Sequence, residues 1–194
     1  MIPFYQNLLH YSFSWVPFLS LKQKKEILFL MNHVIYQTDT LGFQNILSFA
    51  EGMRLISHLN SAIKNKSQYL LLVRHTPTNT LIGHVVLAHN QLPNCFHRAE
   101  IFRAIVHPDH RHLLLLKKGL YYILEKCHTL NISSLELDVR VGSPLSRLWK
   151  MFGFEIMGEN PDYARINGQS MKGFYMRQSL ENLKKYAFHD TLAS

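Results

Sequence analysis

Three consecutive stretches constrain the fold of this chain most tightly: "RAEIFRAIV" at 98–106, a helical pattern over 113–128, and "SSLELDV" at 133–139. The outer two read as strands. In the last of them Leu135, Leu137 and Val139 alternate with Glu136 and Asp138, the period of a strand with one buried face. Between them Leu116, Leu120, Ile123, Leu124 and Cys127 recur at helical spacing and are expected to line one face. A helix of this length is the crossover that parallel neighbouring strands require, so the segment predicts a β-α-β unit with the two strands parallel.

The remainder of the chain extends that unit. Tyr11 to Phe18 reads as a first strand, and 21–38 as a helix with Ile27, Leu30, Met31 and Val34 on one side. A second helix is expected at about 48–65, with Ser48 as N-cap and Glu51 three residues later. "YLLLVRH" (69–75) and "TLIGHVVLA" (80–88) flank the turn-rich "TPTN" and predict an antiparallel hairpin. A short helix over 144–152 is marked by Ser143 as N-cap, Pro144 at its first position and Gly153 as its stop. "FEIMG" (154–158) and "GFYMRQSL" (173–180) complete the strands. The resulting order, β-α-α-β-β-β-α-β-α-β-β, predicts an α/β fold with a mixed central sheet of about seven strands. With no repeat, low-complexity tract or linker, one domain is expected over 1–194.

Composition removes several function classes. Of the 194 residues, 47% are hydrophobic and 18% charged, which suits a globular protein. No apolar run reaches the roughly 18 residues needed to cross a bilayer. The apolar opening "MIPFYQNLLHYSFSWVPF" lacks a basic leader and a small-residue cleavage site, so it is expected to be mature structure in a cytoplasmic protein. Cys95 and Cys127 are too few for a disulfide framework and are expected to be reduced thiols, Cys127 within the core. The net charge of +8 suits an anionic partner, but the cations are scattered and no aromatic-basic pattern points to nucleic acid. The 12 histidines show no ligand spacing such as H-E-x-x-H, and His110 and His112 flank Arg111; no metal site is expected.

Several stretches together resemble the GNAT superfamily of acyl-CoA-dependent N-acetyltransferases, well over about residues 67–180 and by element order before that. "RAEIFRAIVHPDHR" looks like the family's fourth strand and the turn into its cofactor helix; "LELDVRVGSPLSRLWKMFGF" looks like its fifth strand and fourth helix; "GENPDYARINGQSMKGFYMRQSL" is similar to its closing hairpin. The combination of "LPN", "RAE", "LELD", "GS" and "GENPDY" is similar to the tabtoxin-resistance type, which acetylates an amino-acid-like toxin. The resemblance implies helices on both sheet faces, with the fourth and fifth strands parallel and splayed. It implies acetyl-CoA as cosubstrate and a small primary amine as acceptor. A carrier protein as acyl source and a homodimer are the partners kept in view.

The resemblance also implies site residues. Ala104, Ile105 and Val106 at the strand end, and Arg111, His112, Leu113, Leu114, Leu115, Leu116 and Lys117 in the turn and helix, would hold acetyl-CoA, the diphosphate resting on backbone N–H groups at a helix N-terminus. The family's text here is glycine-rich; this chain has His112, Leu114 and Leu116 instead. Two readings stay open: a phosphate-cradling turn with altered chemistry, or a continuous buried helix from Asp109. Glu100 is the candidate general base, against a plain strand carboxylate. Trp149 stands where the family has an acidic tyrosine and Gly142 where it often has asparagine, so Tyr163 is the candidate acid or substrate contact, against a packing residue in a turn-rich loop. Asp138 and Arg140 would orient substrate or close the strand end. Arg165, in "PDYAR", would grip a substrate carboxylate or pair within a turn. The second functional reading is a non-catalytic or carrier-protein-dependent member of the same fold.

Overall fold

A computed structural model describes residues 9–37, 43, 45–166 and 168–188. Along the chain run β1 (Tyr11–Val16), α1 (Leu21–Gln37), α2 (Phe49–Lys64), β2 (Gln68–His75), β3 (Thr80–His89), β4 (Arg98–Val106), α3 (Leu113–Thr129), β5 (Ser134–Arg140), α4 (Pro144–Met151), β6 (Glu155–Ile166), β7 (Gln169–Ser179) and α5 (Leu180–Phe188). The strands form one sheet in the order β1-β2-β3-β4-β5-β7-β6. β4 and β5 are parallel, Arg98 lying opposite Ser134 and Glu100 opposite Glu136. The pairs β1–β2, β2–β3, β5–β7 and β6–β7 are antiparallel. The mixed seven-stranded α/β sheet expected from the element order is therefore present. Contacts divide the chain into two compact units, one holding the residues through His89 together with Arg103–Gly119, the other Asn90–Phe102 with Leu120 onward.

In the first unit, α1 buries Ile27, Leu30, Met31 and Val34, the four residues its periodicity selects. α2 opens on the expected capping box: Ser48 Oγ accepts the Glu51 N–H, and the Glu51 carboxylate accepts the Ser48 N–H at 2.9 Å. Gly52 lets α2 lie close on α1, since a Cβ there would stand 2.1 Å from Leu28 Cδ1. β2 and β3 are buried almost throughout, Leu70 to Val73 and Leu81 to Leu87, the continuous apolar run of strands covered on both faces. Leu115 at the start of α3 packs with Val73 and Ile82, flanked by Tyr11, Phe13 and Val106. On α3 the buried side chains are Leu115, Leu120, Ile123 and Cys127; Leu116 and Leu124, expected on that face, are half-buried.

The second unit holds the expected strand β5, with Leu135, Leu137 and Val139 buried. α4 is capped as expected, Ser143 Oγ accepting the Ser146 N–H and Gly153 taking φ +76° just beyond its end. Two elements differ from expectation. β6 runs on through "NPDYARI", which the sequence presents as a turn-rich loop. β6 is the edge of the sheet, where a proline N–H is not needed for the ladder, and the pairing absorbs Pro161 as a register shift between Asn160 and Ala164. A fifth helix, absent from the expected order, follows β7 and buries Leu183 and Ala187.

Candidate active site

The carboxylate side of β5 and the start of β4 line a cleft of about 680 Å³ in the second unit. Strand alternation aims Glu136 and Asp138 into it, and the parallel register sets Glu100 beside Glu136. Three acidic side chains thus share one cleft with Arg98, Arg177 and His97. Arg98 forks onto Glu136, Nε to Oε1 at 2.7 Å and Nη2 to Oε2 at 2.8 Å, a charge-assisted bidentate pair that raises the arginine's pKa further. Arg177 donates from Nε to Ser134 Oγ at 2.9 Å.

Among the described residues no cation pairs with Glu100 in this way. Burial first, then the charges of Asp138 and Glu136, raise its carboxyl above the usual carboxylate range. Although its outer edge is open to solvent, the strand walls and the two acidic neighbours set its proton affinity. A carboxylate of this kind accepts a proton more readily than a solvated one, as a general base near neutral pH should.

Tyr163, carried by β6, donates its hydroxyl to Asp138 Oδ2. Burial first, then this bond, pushes the phenol's pKa well up, so the proton stays on the tyrosine. Gly173, opposite Arg140 on β7, makes the room: a Cβ there would stand 2.1 Å from the Tyr163 ring Cγ. Gly173→Ala is expected to push the ring off Asp138 and cost about 1–3 kcal/mol as overpacking, read as a lower midpoint in thermal unfolding. A variant that melts with the parent would show that the ring is free to move.

The cleft gathers Glu100, Asp138 and, through Asp138, Tyr163. It does not gather Arg140 or Arg165, neither of which is among its lining residues. Arg165 forks onto Asp162 on its own strand, at 3.1 and 2.6 Å, and Ser170 also bonds that carboxylate, holding Asp162 down at about 2. Arg98, Glu136 and Arg177 were not selected from the sequence. Arg98 and Glu136 lie two residues from Glu100 and Asp138 on the same strand faces, a period-2 signal that could have found them.

The turn after β4 lies in the first unit and bears on the continuous-helix reading. Pro108–His110 form one turn of 3₁₀ helix, the chain is extended at Arg111 (φ −76°, ψ 106°), and α3 starts afresh at Leu113. A continuous helix from Asp109 is therefore not what forms. His112 acts as the cap: its Nδ1 accepts the Leu115 N–H at 3.1 Å. Arg111 folds back, Nε to the Val106 carbonyl at 3.0 Å. Within β4, Arg103 stands at φ +48°, a left-handed conformation that costs a side-chain-bearing residue. Trp149, where a family acid would stand, is 6% exposed and packs edge-on against Phe154 with ring centroids 5.2 Å apart; it is core.

The acetyltransferase (GNAT) family profile matches residues 33–154, more than half of the chain, from α1 through α4. The chain belongs to the GNAT acetyltransferase family. The matched span contains Glu100, the turn and Asp138, and ends before Tyr163 and Arg165. The acetyltransferase is similar in fold to spermidine N-acetyltransferase from Vibrio cholerae in complex with CoA and spermine, at 21% identity and TM-score 0.70 over 90% of this chain and 98% of that one. It is similar to ribosomal-protein-alanine N-acetyltransferase from Brucella melitensis, at 14% identity and TM-score 0.67 over 86% and 99% of the two chains. A Salmonella typhimurium structure with its cofactor acetyl-CoA superposes at 15% identity and TM-score 0.68 over 87% and 94%. A comparison with curated protein sequences gives no match.

The acetyltransferase turn fits a diphosphate in its donor set: the N-terminus of a 17-residue helix, Arg111, and the imidazoles of His107, His110 and His112. Among the described residues no three His, Cys, Asp or Glu side chains are arranged to hold a metal ion, and no helix is long and apolar enough to cross a membrane.

Proposed function

We propose that the protein is an acetyl-CoA-dependent N-acyltransferase acting on a small primary amine by direct attack. Acetyl-CoA supplies the thioester carbonyl carbon to which the amine nitrogen bonds as the carbon–sulfur bond breaks. Glu100 takes the proton that the amine must lose. Asp138, fixed by the Tyr163 hydroxyl, holds the ammonium form of the acceptor in the cleft, and Arg98 occupies both oxygens of Glu136, which leaves Glu100 as the proton acceptor. With a leaving thiol of pKa about 8.5, the thiolate needs no acid at neutral pH. This matters because the Tyr163 proton is committed to Asp138.

One observation carries this reading: a carboxylate with raised proton affinity stands in a cleft whose second free carboxylate is oriented by a tyrosine. That charge favours an acceptor with a cationic amine and no carboxylate of its own near Glu100. The arginine that would have gripped a substrate carboxylate is occupied by Asp162. Incubation with acetyl-CoA and a panel of amines should release CoA fastest with simple cationic amines and slower with amino acids carrying an α-carboxylate. Equal rates across the panel, or transfer only to amino acids, would overturn the acceptor assignment.

The second reading, a non-catalytic or carrier-protein-dependent member, is favoured by the His112 ring, which sits on an N–H that a diphosphate would otherwise use. Acetyl-CoA binding by calorimetry separates the two.

A further inference from the structure

Around the turn, side chains from four parts of the first unit bring their rings together. His107 stacks on His33 of α1, with centroids 4.3 Å apart and planes 12° from parallel. His110 stands 5.3 Å from His75 of β2 and 5.8 Å from His107. Tyr11 of β1 shares a hydrogen bond with His110 Nδ1 at 3.0 Å and faces His112 at 5.7 Å. His10 lies beyond, 6.4 Å from His75. The other charged groups of the turn are Arg111, held on the Val106 carbonyl, and Asp109, which is 3.7 Å from His107 Nδ1 with its side chain 82% exposed. Six imidazoles thus lie along a chain of ring contacts, and among the described residues the carboxylate acting on His107 and His110 is the solvated Asp109.

We propose that His107, His110 and His112 are diphosphate-binding residues of this acetyltransferase and bind as imidazolium, so that protons are taken up together with acetyl-CoA. The inference rests on the assignment of this turn to acetyl-CoA. The chemistry follows from what each ring does without the ligand. His112 accepts the Leu115 N–H through a ring nitrogen lone pair, so it is neutral in that arrangement, and a proton added there breaks the cap. An anion at the helix N-terminus replaces the ring as acceptor and gains a cation beside it.

His107 and His110 are held below the usual histidine range, by burial first and then by repulsion from His33 and His75 respectively. Two negative charges set among these rings oppose both effects and favour proton uptake. His112, which stands where the family has glycine, thereby adds charge at the phosphates, and His107 and His110 add theirs from the turn before it.

Binding linked to proton uptake tightens as pH falls, by up to about tenfold per pH unit for each proton taken up. Dephospho-CoA is the informative probe because it keeps the diphosphate and lacks the phosphate monoester, whose own titration would mask the effect. Calorimetry at pH 7 in buffers of different ionisation enthalpy should show net proton uptake with acetyl-CoA and with dephospho-CoA, and Kd for both should fall from pH 8 to 6.5. The double variant His110→Gln/His112→Asn, whose asparagine can still cap α3, should bind with markedly less uptake and a flatter pH dependence. Circular dichroism checks that the variant is folded. Binding without proton uptake by the native protein, or equal uptake by native protein and folded variant, overturns the inference and leaves the acetyl-CoA assignment standing. No binding of either ligand between pH 6.5 and 8 overturns both.

Discussion

Glu100→Gln is expected to lower turnover by about 10²–10⁴-fold while leaving acetyl-CoA affinity unchanged. The substitution keeps side-chain length and hydrogen-bonding capacity and removes only the ability to accept a proton at neutral pH. It also relieves the crowding of negative charge with Asp138 and Glu136, so the protein should be no less stable. The pH profile sharpens the test. Glu100 has its proton affinity raised, so the acid limb of kcat/KM should lie above the range of an ordinary carboxylate, rising as Glu100 ionises. In the variant that limb should vanish. A glutamine variant with full turnover would assign proton acceptance to solvent. One with lost turnover and weakened acetyl-CoA binding would assign Glu100 to positioning rather than proton transfer.

Between pH 6.5 and 4 the protein should lose stability through His84, by about 3 kcal/mol at full effect. His84 lies within β3, is 2% exposed, and neither ring nitrogen has a hydrogen-bond partner among the described residues. Burial first, and the Arg103 charge second, hold it down from 6.5 to about 4. The folded state refuses a proton that the unfolded chain accepts from 6.5 downward, so unfolding gains about 1.4 kcal/mol per pH unit across that window and nothing above it. His84→Leu, close in volume and free of the orphaned nitrogens, should be at least as stable as the parent at pH 7 and lose less on acidification. The measurement is urea unfolding at pH 7, 6, 5 and 4. His107 and His110 act in the same direction and remain in the variant, so the difference between the two curves isolates His84. Parallel curves would mean that the buried imidazole is protonated in the folded state as well.

Most of the scaffold was legible because its signals are local. The capping box at Ser48 and Glu51, the stop at Gly153 and the alternation of "LELDV" depend on residues a few positions apart, and all three form as read. β6 was misread because "NPDYAR" carries turn chemistry whose meaning depends on being at the sheet edge, which only the strand order reveals. The cleft was legible in part. Glu100 and Asp138 sit on strand faces that alternation fixes, and of the two readings of Arg165 the local pair is the one that forms, with a carboxylate three residues away. The histidine cluster left no readable pattern. His33, His75 and His107 are separated by dozens of residues and meet only when α1, β2 and the turn have packed.

The outer border of β6 has a consequence for how the protein behaves when crowded. A sheet that ends in a long regular strand offers open N–H and C=O groups to any extended chain that meets it, and molecules can join border to border. Here the last strand carries Pro161, breaks register beside it, and bears Glu155, Glu159, Asp162 and Arg165. An incoming strand would meet a missing donor, a kink and charges of both signs within one strand length. The segment that looks least like a strand in sequence thus gives this border of the sheet the features that disfavour the addition of a further strand.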